Sequence, residues 1–346
     1  MKARFKKYSL EFKIPGGTSR GVLEQKDTWF LMLERNGSRG IGECAMFRGL
    51  SADDMPDYEE RLNWLCKHIE EDPQKLHNEL DSYPSIQFGL EQALLSLTTS
   101  DDFTLFPSDF TSGKSGIEIN GLVWMGPVAQ MRSEVRKKIQ EGFGCIKIKI
   151  GALDFSEEIN FLREVRDMGG PDLEIRVDAN GAFSPDDALD KLKDLATLDV
   201  HSIEQPIRAG QLDALQRLCK ESPIPVALDE ELIGIFKSNQ KRELLERIAP
   251  PYIILKPSLL GGFRHCEEWM ELASRQGIRY WVTSALESNI GLNAIAQWAA
   301  NLGILLPQGL GTGGLFTNNF TSPLYVEGSY LYNNPDISWD IQTLTT

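Results

Sequence analysis

The feature that most constrains this 346-residue chain is a repeat of polar residues at the ends of short apolar runs. The runs cover residues 117–123, 145–150, 173–177, 200–203, 225–228, 252–255, 280–283 and 304–306, and helical patterns separate most of them. Lys149, Asp178, Glu204, Asp229, Lys256 and Ser284 stand where successive runs stop, 29, 26, 25, 27 and 28 residues apart. A strand with its return helix needs about 30 residues. Eight strands alternating with helices over some 200 residues is the pattern of an α/β chain closed into a (β/α)8, or TIM-type, barrel. A doubly wound open sheet would carry a Gly-rich fingerprint at its first turn, and none is there.

The rest of the chain has another texture. A strand is expected over 4–14, closed by Pro15-Gly16-Gly17, and a second over 28–33, followed by the hairpin-favouring pair Asn36-Gly37. Tyr58, Leu62, Leu65, Cys66 and Ile69 recur at helical spacing, as do Phe88, Ala93, Leu94, Leu95 and Leu97. Antiparallel strands followed by helices read as an α+β unit. With 111–116 as linker, the expected division is an α+β cap over 1–115, a barrel over 116–315 and a tail over 316–346 that packs back on the cap. Within the barrel, Ser184 before Pro185-Asp186-Asp187 is the expected N-cap of one helix. Gly169-Gly170 and Gly277 mark helix ends.

Composition narrows the function classes. Thirty-six Lys+Arg against 50 Asp+Glu leave a net charge of −14, which argues against a nucleic-acid footprint and against an anionic membrane surface. The basic start, Met1-Lys2-Ala3-Arg4, leads into no apolar core of a secretory signal, and no apolar run is long enough to span a bilayer. Five scattered cysteines without a C-x-x-C pair fit reduced thiols. The expectation is a cytoplasmic protein that engages neither nucleic acid nor membrane. Monomer and homo-oligomer both stay open.

The chemistry is expected at the barrel's mouth, because barrel enzymes place their active sites at the C-terminal ends of the strands. Lys147 and Lys149 share a strand face, as do Arg176, Asp178 and Asn180. Asp178, Glu204 and Asp229, from consecutive strands, are hard oxygen ligands suited to Mg²⁺, with Mn²⁺ as the alternative. One such carboxylate caps a neighbouring helix as readily, but three at one-unit spacing favour the metal. An ammonium beside a divalent cation and another ammonium is disfavoured, which should bring a mouth lysine's pKa down toward the operating pH. Neutralising the carboxylates suits Lys147 better than Lys149 or Lys256. His201 shares parity with Ile203, not with Glu204, and reads as structural.

Lys147-Ile148-Lys149, Asp178-Ala179-Asn180, Glu204-Gln205-Pro206, Asp229-Glu230 and Lys256-Pro257 together resemble the muconate-lactonizing subgroup of the enolase superfamily. The runs Leu255-Lys256-Pro257-Ser258-Leu259-Leu260-Gly261-Gly262 and Ser284-Ala285-Leu286-Glu287-Ser288-Asn289 are most similar to the o-succinylbenzoate synthase family of menaquinone biosynthesis. The resemblance implies a modified barrel of (β/α)7β type beneath a capping domain. It implies a hydro-lyase that takes a proton from the carbon next to a carboxylate, with Lys149 as base, Lys256 as a cation over the ring, and Mg²⁺ on the three carboxylates. It also implies a small carboxylate substrate, held by Lys147, Asn180, Ser284, Ala285, Leu286, Glu287, Gly311 and Thr312, with Arg20 and Phe47 from two loops that resemble the flaps of the cap.

Residues 284–288 are expected to offer hydroxyls and backbone N–H groups to a second carboxylate. Dipeptide epimerases of the subgroup carry an Asp-x-Asp after the eighth strand; here that stretch reads Gly309-Leu310-Gly311-Thr312-Gly313-Gly314, without an acid. Relatives that use a His base on the seventh strand are excluded by Ser284. The rival readings are an N-acylamino acid racemase or dipeptide epimerase on the same scaffold, and a non-catalytic barrel that only binds.

Overall fold

A computed structural model describes residues 1–18, 21–99 and 101–345. The chain begins with an antiparallel sheet of β1 (Lys2–Thr18), β2 (Gly21–Arg35) and β3 (Ser38–Cys44), longer than the apolar patterns alone outline. Two of the three helices that follow, α1 (Tyr58–His68) and α3 (Pro84–Ser96), answer to the expected periodicity. The third, α2 (Pro73–Glu79), has an explicit start: Asp72 accepts from the Gln74 and Lys75 amides, and Pro73 opens the helix. Helix α3 lies directly on β3, because Gly40, Gly42 and Gly89 bring the two backbones into contact; a Cβ on Gly42 would sit 1.9 Å from the Gly89 carbonyl oxygen.

The apolar run 117–123 is not one strand. Asn120 divides it into β4 (Ile117–Glu118) and β5 (Gly121–Val123). Strand β5 opens a ring of parallel strands: β6 (Cys145–Lys149), β7 (Glu174–Asp178), β8 (Val200–Glu204), β9 (Val226–Leu228), β10 (Tyr252–Leu255) and β11 (Arg279–Val282). Between them run α4 (Val128–Gln140), α5 (Phe155–Gly169), α6 (Ala188–Ala196), α7 (Leu212–Glu221), α8 (Ser238–Ile248), the short α9 (Pro257–Leu260) and α10 (Gly262–Arg275). Helix α11 (Asn289–Ala300) follows β11.

The eighth strand is not the run 304–306, where Leu305 is 93 % exposed. It is reduced to Gln308 and Gly309, which bridge in parallel to Ile119 on one side and Thr283 on the other. The ring is thus seven βα units and a closing strand. Residues 304–306 are irregular backbone between the turn at 301–303 and this strand. The regular part of helix α6 begins at Ala188, and Ser184 caps the turn ahead of it as expected: its Oγ accepts from the Asp187 amide at 3.4 Å, its own amide donates to Asp187 Oδ1 at 3.1 Å, and its carbonyl accepts from the Ala188 amide. The ends at Gly170 (φ 72) and Gly277 (φ 70) are as expected, since both need a left-handed backbone.

The tail threads between the two units. Phe316 bridges to Phe12, and Phe320 packs on Tyr8 and Phe30 of the cap sheet. Its hairpin, β12 (Leu324–Glu327) and β13 (Tyr330–Asn333), instead pairs with β4 at the entrance to the barrel, and α12 (Gln342–Thr345) closes the chain. Among the described residues no helix is long and apolar enough to cross a membrane.

Candidate active site

Register places the chemistry. Lys149 pairs with Asp178 across β6 and β7, and Asp178 with Glu204 across β7 and β8, so the three side chains form one row at the strands' C-terminal ends. Asp229 and Lys256 follow directly after β9 and β10. Lys147, Lys149, Asp178, Asp229 and Lys256 line a cavity of about 220 Å³ between barrel and cap, with Glu204 buried behind them. Its charges alternate. Lys149 Nζ lies 2.9 Å from Asp178 Oδ2; Lys147 Nζ lies 3.4 Å from that same oxygen and 2.9 Å from Glu204 Oε2. Lys256 Nζ lies 3.5 Å from Glu204 Oε1 and is paired with Asp229. Three ammoniums therefore bridge three carboxylates in sequence.

That alternation sets the acidities. Burial would raise the Asp178 carboxyl, but Lys149, Lys147 and Lys256 outweigh it and hold the group well below the usual carboxylate range. Glu204 and Asp229 go the other way: burial raises both, helped by Asp178 at Glu204 and offset only in part by Lys256 at Asp229. Burial alone would lower Lys256, yet Asp229 and Glu204 hold it well above the ordinary lysine value, and Lys147 is raised for the same kind of reason. At both positions the ammonium sits between carboxylates, Lys147 between Asp178 and Glu204 and Lys256 between Glu204 and Asp229.

The three carboxylates share the mouth but are not gathered. Among the described residues no group of three or more acidic, His or Cys side chains is arranged to hold a metal ion. Lysines interleave with them instead, Lys147 between Asp178 and Glu204 and Lys256 between Glu204 and Asp229. The donor set nevertheless fits a hard divalent ion: all-oxygen, three-fold, and with Glu204 Oε1 buried and accepting no hydrogen bond.

Asn180 sits past the strand at φ 44, a left-handed backbone that turns its amide onto Lys149 Nζ at 2.6 Å. Lys147, Asn180, Ser284, Ala285, Leu286, Gly311, Thr312 and Phe47 all line the cavity. Arg20 lies outside the described residues. Glu287 does not line the cavity: it is fully buried behind the wall, accepting from Ser258 Oγ, from Ser284 Oγ at 2.5 Å and from the Ala285 amide at 2.8 Å. The donors expected of 284–288 are likewise committed. The Leu286 amide goes to Ser284 Oγ, and the Ser288 amide and hydroxyl go to Glu43 of the cap. This wall therefore presents mainly apolar surface and used-up dipoles. Trp124, immediately after β5, also lines the cavity, with Lys149 Nζ 5.8 Å from its ring; its place at a strand end was the signal that could have found it. Leu23 and Leu50 of the cap and Leu259 of the barrel add apolar lining to the cavity.

Comparison with known proteins agrees with this geometry. Residues 130–332 match the enolase C-terminal domain-like family, and residues 2–97 match the MenC N-terminal domain. The chain is 45 % identical to an o-succinylbenzoate synthase of Desulfotalea psychrophila, over 96 % of this chain and 98 % of that one. This chain belongs to the enolase superfamily, in its o-succinylbenzoate synthase family. The crystal structure of MenC from Desulfotalea psychrophila superposes on this family member with a TM-score of 0.86 at 41 % identity, covering 96 % of this chain and 99 % of that one. The L-Ala-D/L-Glu epimerase of Bacillus subtilis is 23 % identical over 77 % of this chain and 75 % of its own. A muconate lactonizing enzyme from Pseudomonas fluorescens shares the fold at 20 % identity, with a TM-score of 0.85 over 99 % of this chain and 96 % of that one.

Proposed function

We propose that this enzyme dehydrates 2-succinyl-6-hydroxy-2,4-cyclohexadiene-1-carboxylate to 2-succinylbenzoate and water, a lyase step of menaquinone biosynthesis. The observation that carries the residue assignment is the pair of lysines, Lys149 and Lys256, reaching one cavity from β6 and β10 on opposite sides of the ring. Lys149, within reach of solvent and held by Asp178 and Asn180, is the base that takes the proton from the carbon next to the substrate carboxylate. The same nitrogen, now an ammonium, returns that proton to the departing hydroxyl, so elimination is syn. Lys256, kept charged by Asp229 and Glu204, stays cationic and faces the developing negative charge and then the aromatic ring. Asp178, Glu204 and Asp229 would hold Mg²⁺ or Mn²⁺, which supplies Lewis-acid charge for the substrate carboxylate. Trp124, Leu23 and Leu259 keep water from the ring face.

Several finer readings belong with this one. Residues 1–115 act as the cap, 116–315 as the catalytic barrel and 316–346 as the tail that joins them. All five cysteines are free, which fits the reducing cytoplasm.

The racemase and epimerase rivals share the lysine pair, so substrate choice separates them. The carboxylates lining the cavity, Asp178 and Asp229, are already paired with lysines, and the stretch after the eighth strand contributes Gly309, Gly311 and Thr312 without an acid. An aminoacyl ammonium thus has no anion to meet. We expect kcat/KM for the cyclohexadiene carboxylate to exceed that for L-Ala-L-Glu by at least about 10³-fold, the scale on which an unmet charged group discriminates. A dipeptide that performs as well would replace the synthase reading with the epimerase one.

A further inference from the structure

The base has a support that the chemistry above does not use. Lys149 Nζ donates to Asp178 Oδ2 at 2.9 Å and to Asn180 Oδ1 at 2.6 Å. The other end of that amide, Asn180 Nδ2, donates to Glu230 Oε1 at 3.0 Å, and the Asn180 backbone N–H donates to Asp178 Oδ1 at 3.0 Å. Three strand ends are thereby chained, β6 through Lys149, β7 through Asn180 and β9 through Glu230. Lys149 and Asn180 line the cavity, and Glu230 does not. Glu230 is itself held from behind, because Gln205 Oε1 accepts from the amides of its two neighbours, Asp229 at 3.2 Å and Glu231 at 3.3 Å.

The sense of the Asn180 amide decides what Lys149 can do. A neutral lysine amine carries two N–H donors and one lone pair, and the ammonium carries three donors. Acceptors at Asp178 and Asn180 take two of the three directions. The third is left for the lone pair of the base and, after reaction, for the proton that returns to the departing hydroxyl. Were the amide reversed, its NH₂ would donate toward Lys149 and compete for that lone pair. Asparagine can present either end, and a neutral amine tolerates either. Glu230 does not: a carboxylate only accepts, so a reversed amide would set oxygen against oxygen.

We infer that Glu230 is a positioning residue that fixes the sense of the Asn180 amide, and through it the direction in which the Lys149 nitrogen exchanges its proton. The inference rests on the dehydration reading above. Aim at the reacting carbon matters in the transition state and little in ground-state binding, so its loss belongs in kcat.

The test is a cycle of Glu230→Gln, Asn180→Asp and the combined variant, assayed for dehydration at saturating Mg²⁺. Each single change should lower kcat about 10- to 100-fold with KM within about 3-fold of wild type, since the first lets the amide turn and the second sets two carboxylates face to face. In the combined variant the new amide at position 230 donates to the new carboxylate at position 180, which still accepts from Lys149. The chain of bonds is rebuilt with donor and acceptor exchanged, and kcat should exceed that of Asn180→Asp by at least about 5-fold. A merely structural role gives no such recovery. Additive losses, a Glu230→Gln variant with wild-type kcat, or one whose only change is weaker Mg²⁺ binding by calorimetry would overturn the inference. The Asn180 side-chain amide, assigned by its absence in Asn180→Asp, is also followed by NMR without substrate; its exchange with solvent should be slow in wild type and quicken in Glu230→Gln. An inactive wild type would fail the dehydration reading and leave that exchange to judge Glu230, and equal exchange in the two proteins would overturn the inference. Should Asn180→Asp alone not fold, the combined variant must; a combined variant that also fails to fold overturns it as well.

Discussion

Replacing each active-site lysine by arginine separates two roles that share one cavity. Arginine keeps the positive charge but does not deprotonate in a protein, so Lys149→Arg removes a base while Lys256→Arg preserves a cation. Lys149 Nζ is held 2.9 Å from Asp178 and 2.6 Å from Asn180, contacts that a guanidinium can also make, and its loss should therefore register in chemistry more than in folding. General-base removal costs about 10²–10⁴ in rate. We expect the upper part of that range, about 10³-fold or more, which is about 4 kcal/mol of barrier. Lys256 sits between Glu204 and Asp229, and in the proposed mechanism it acts only as a cation. Lys256→Arg should lose about 10- to 100-fold, the cost of fitting a larger fork into a cavity of about 220 Å³. Lys256→Ala should lose more, since Asp229 and Glu204 then face each other without the cation, and stability should also fall by about 3–5 kcal/mol. The assay is steady-state dehydration at saturating Mg²⁺, with product quantified chromatographically and folding checked by thermal melts. If Lys256→Arg is as inactive as Lys149→Arg while folded, the charge-only role is refuted and a second base, as in a racemase, takes its place.

Removing the divalent ion with excess EDTA should abolish turnover, and Glu204→Gln should lose most activity and weaken Mg²⁺ binding measured by calorimetry while the melt is little changed. Stability should fall as pH rises from about 4 to about 7. Buried Asp53, which accepts from the Ser85 amide and hydroxyl, is pushed up to about 7, as is Glu91 at the cap–barrel seam. The folded state then binds protons the unfolded chain has released, so the contribution is complete below the unfolded value and lost as pH passes through about 7. Asp53→Asn should remove on the order of 4 kcal/mol of that slope, read by denaturant titration at several pH values, and an unchanged slope would refute the assignment. Gly42→Ala should cost about 1–3 kcal/mol or more, because its Cβ would meet the Gly89 carbonyl at 1.9 Å and push α3 off the sheet; an unshifted melting temperature would show that the contact yields.

The ring of alternating strands and helices, and the identity of its polar ends, were legible from the residues alone. Strand parity is local, and a spacing of one βα unit is enough to bring Lys149, Asp178, Glu204, Asp229 and Lys256 to one mouth whatever else the chain does. Long-range pairing was not legible. That Gln308 and Gly309, not residues 304–306, close the ring depends on hydrogen bonds to Glu118 and Val282, far away in sequence. The same holds for Glu287. Its position in the loop marks it as a cavity residue, but the Ser258 and Ser284 hydroxyls and the Ala285 amide draw it inward, because a buried carboxylate goes where donors can satisfy it. Which residues carry the chemistry follows from periodicity and residue type. Which way each side chain finally faces, and which lysine each carboxylate answers to, is settled by electrostatics between segments that only the folded chain brings together.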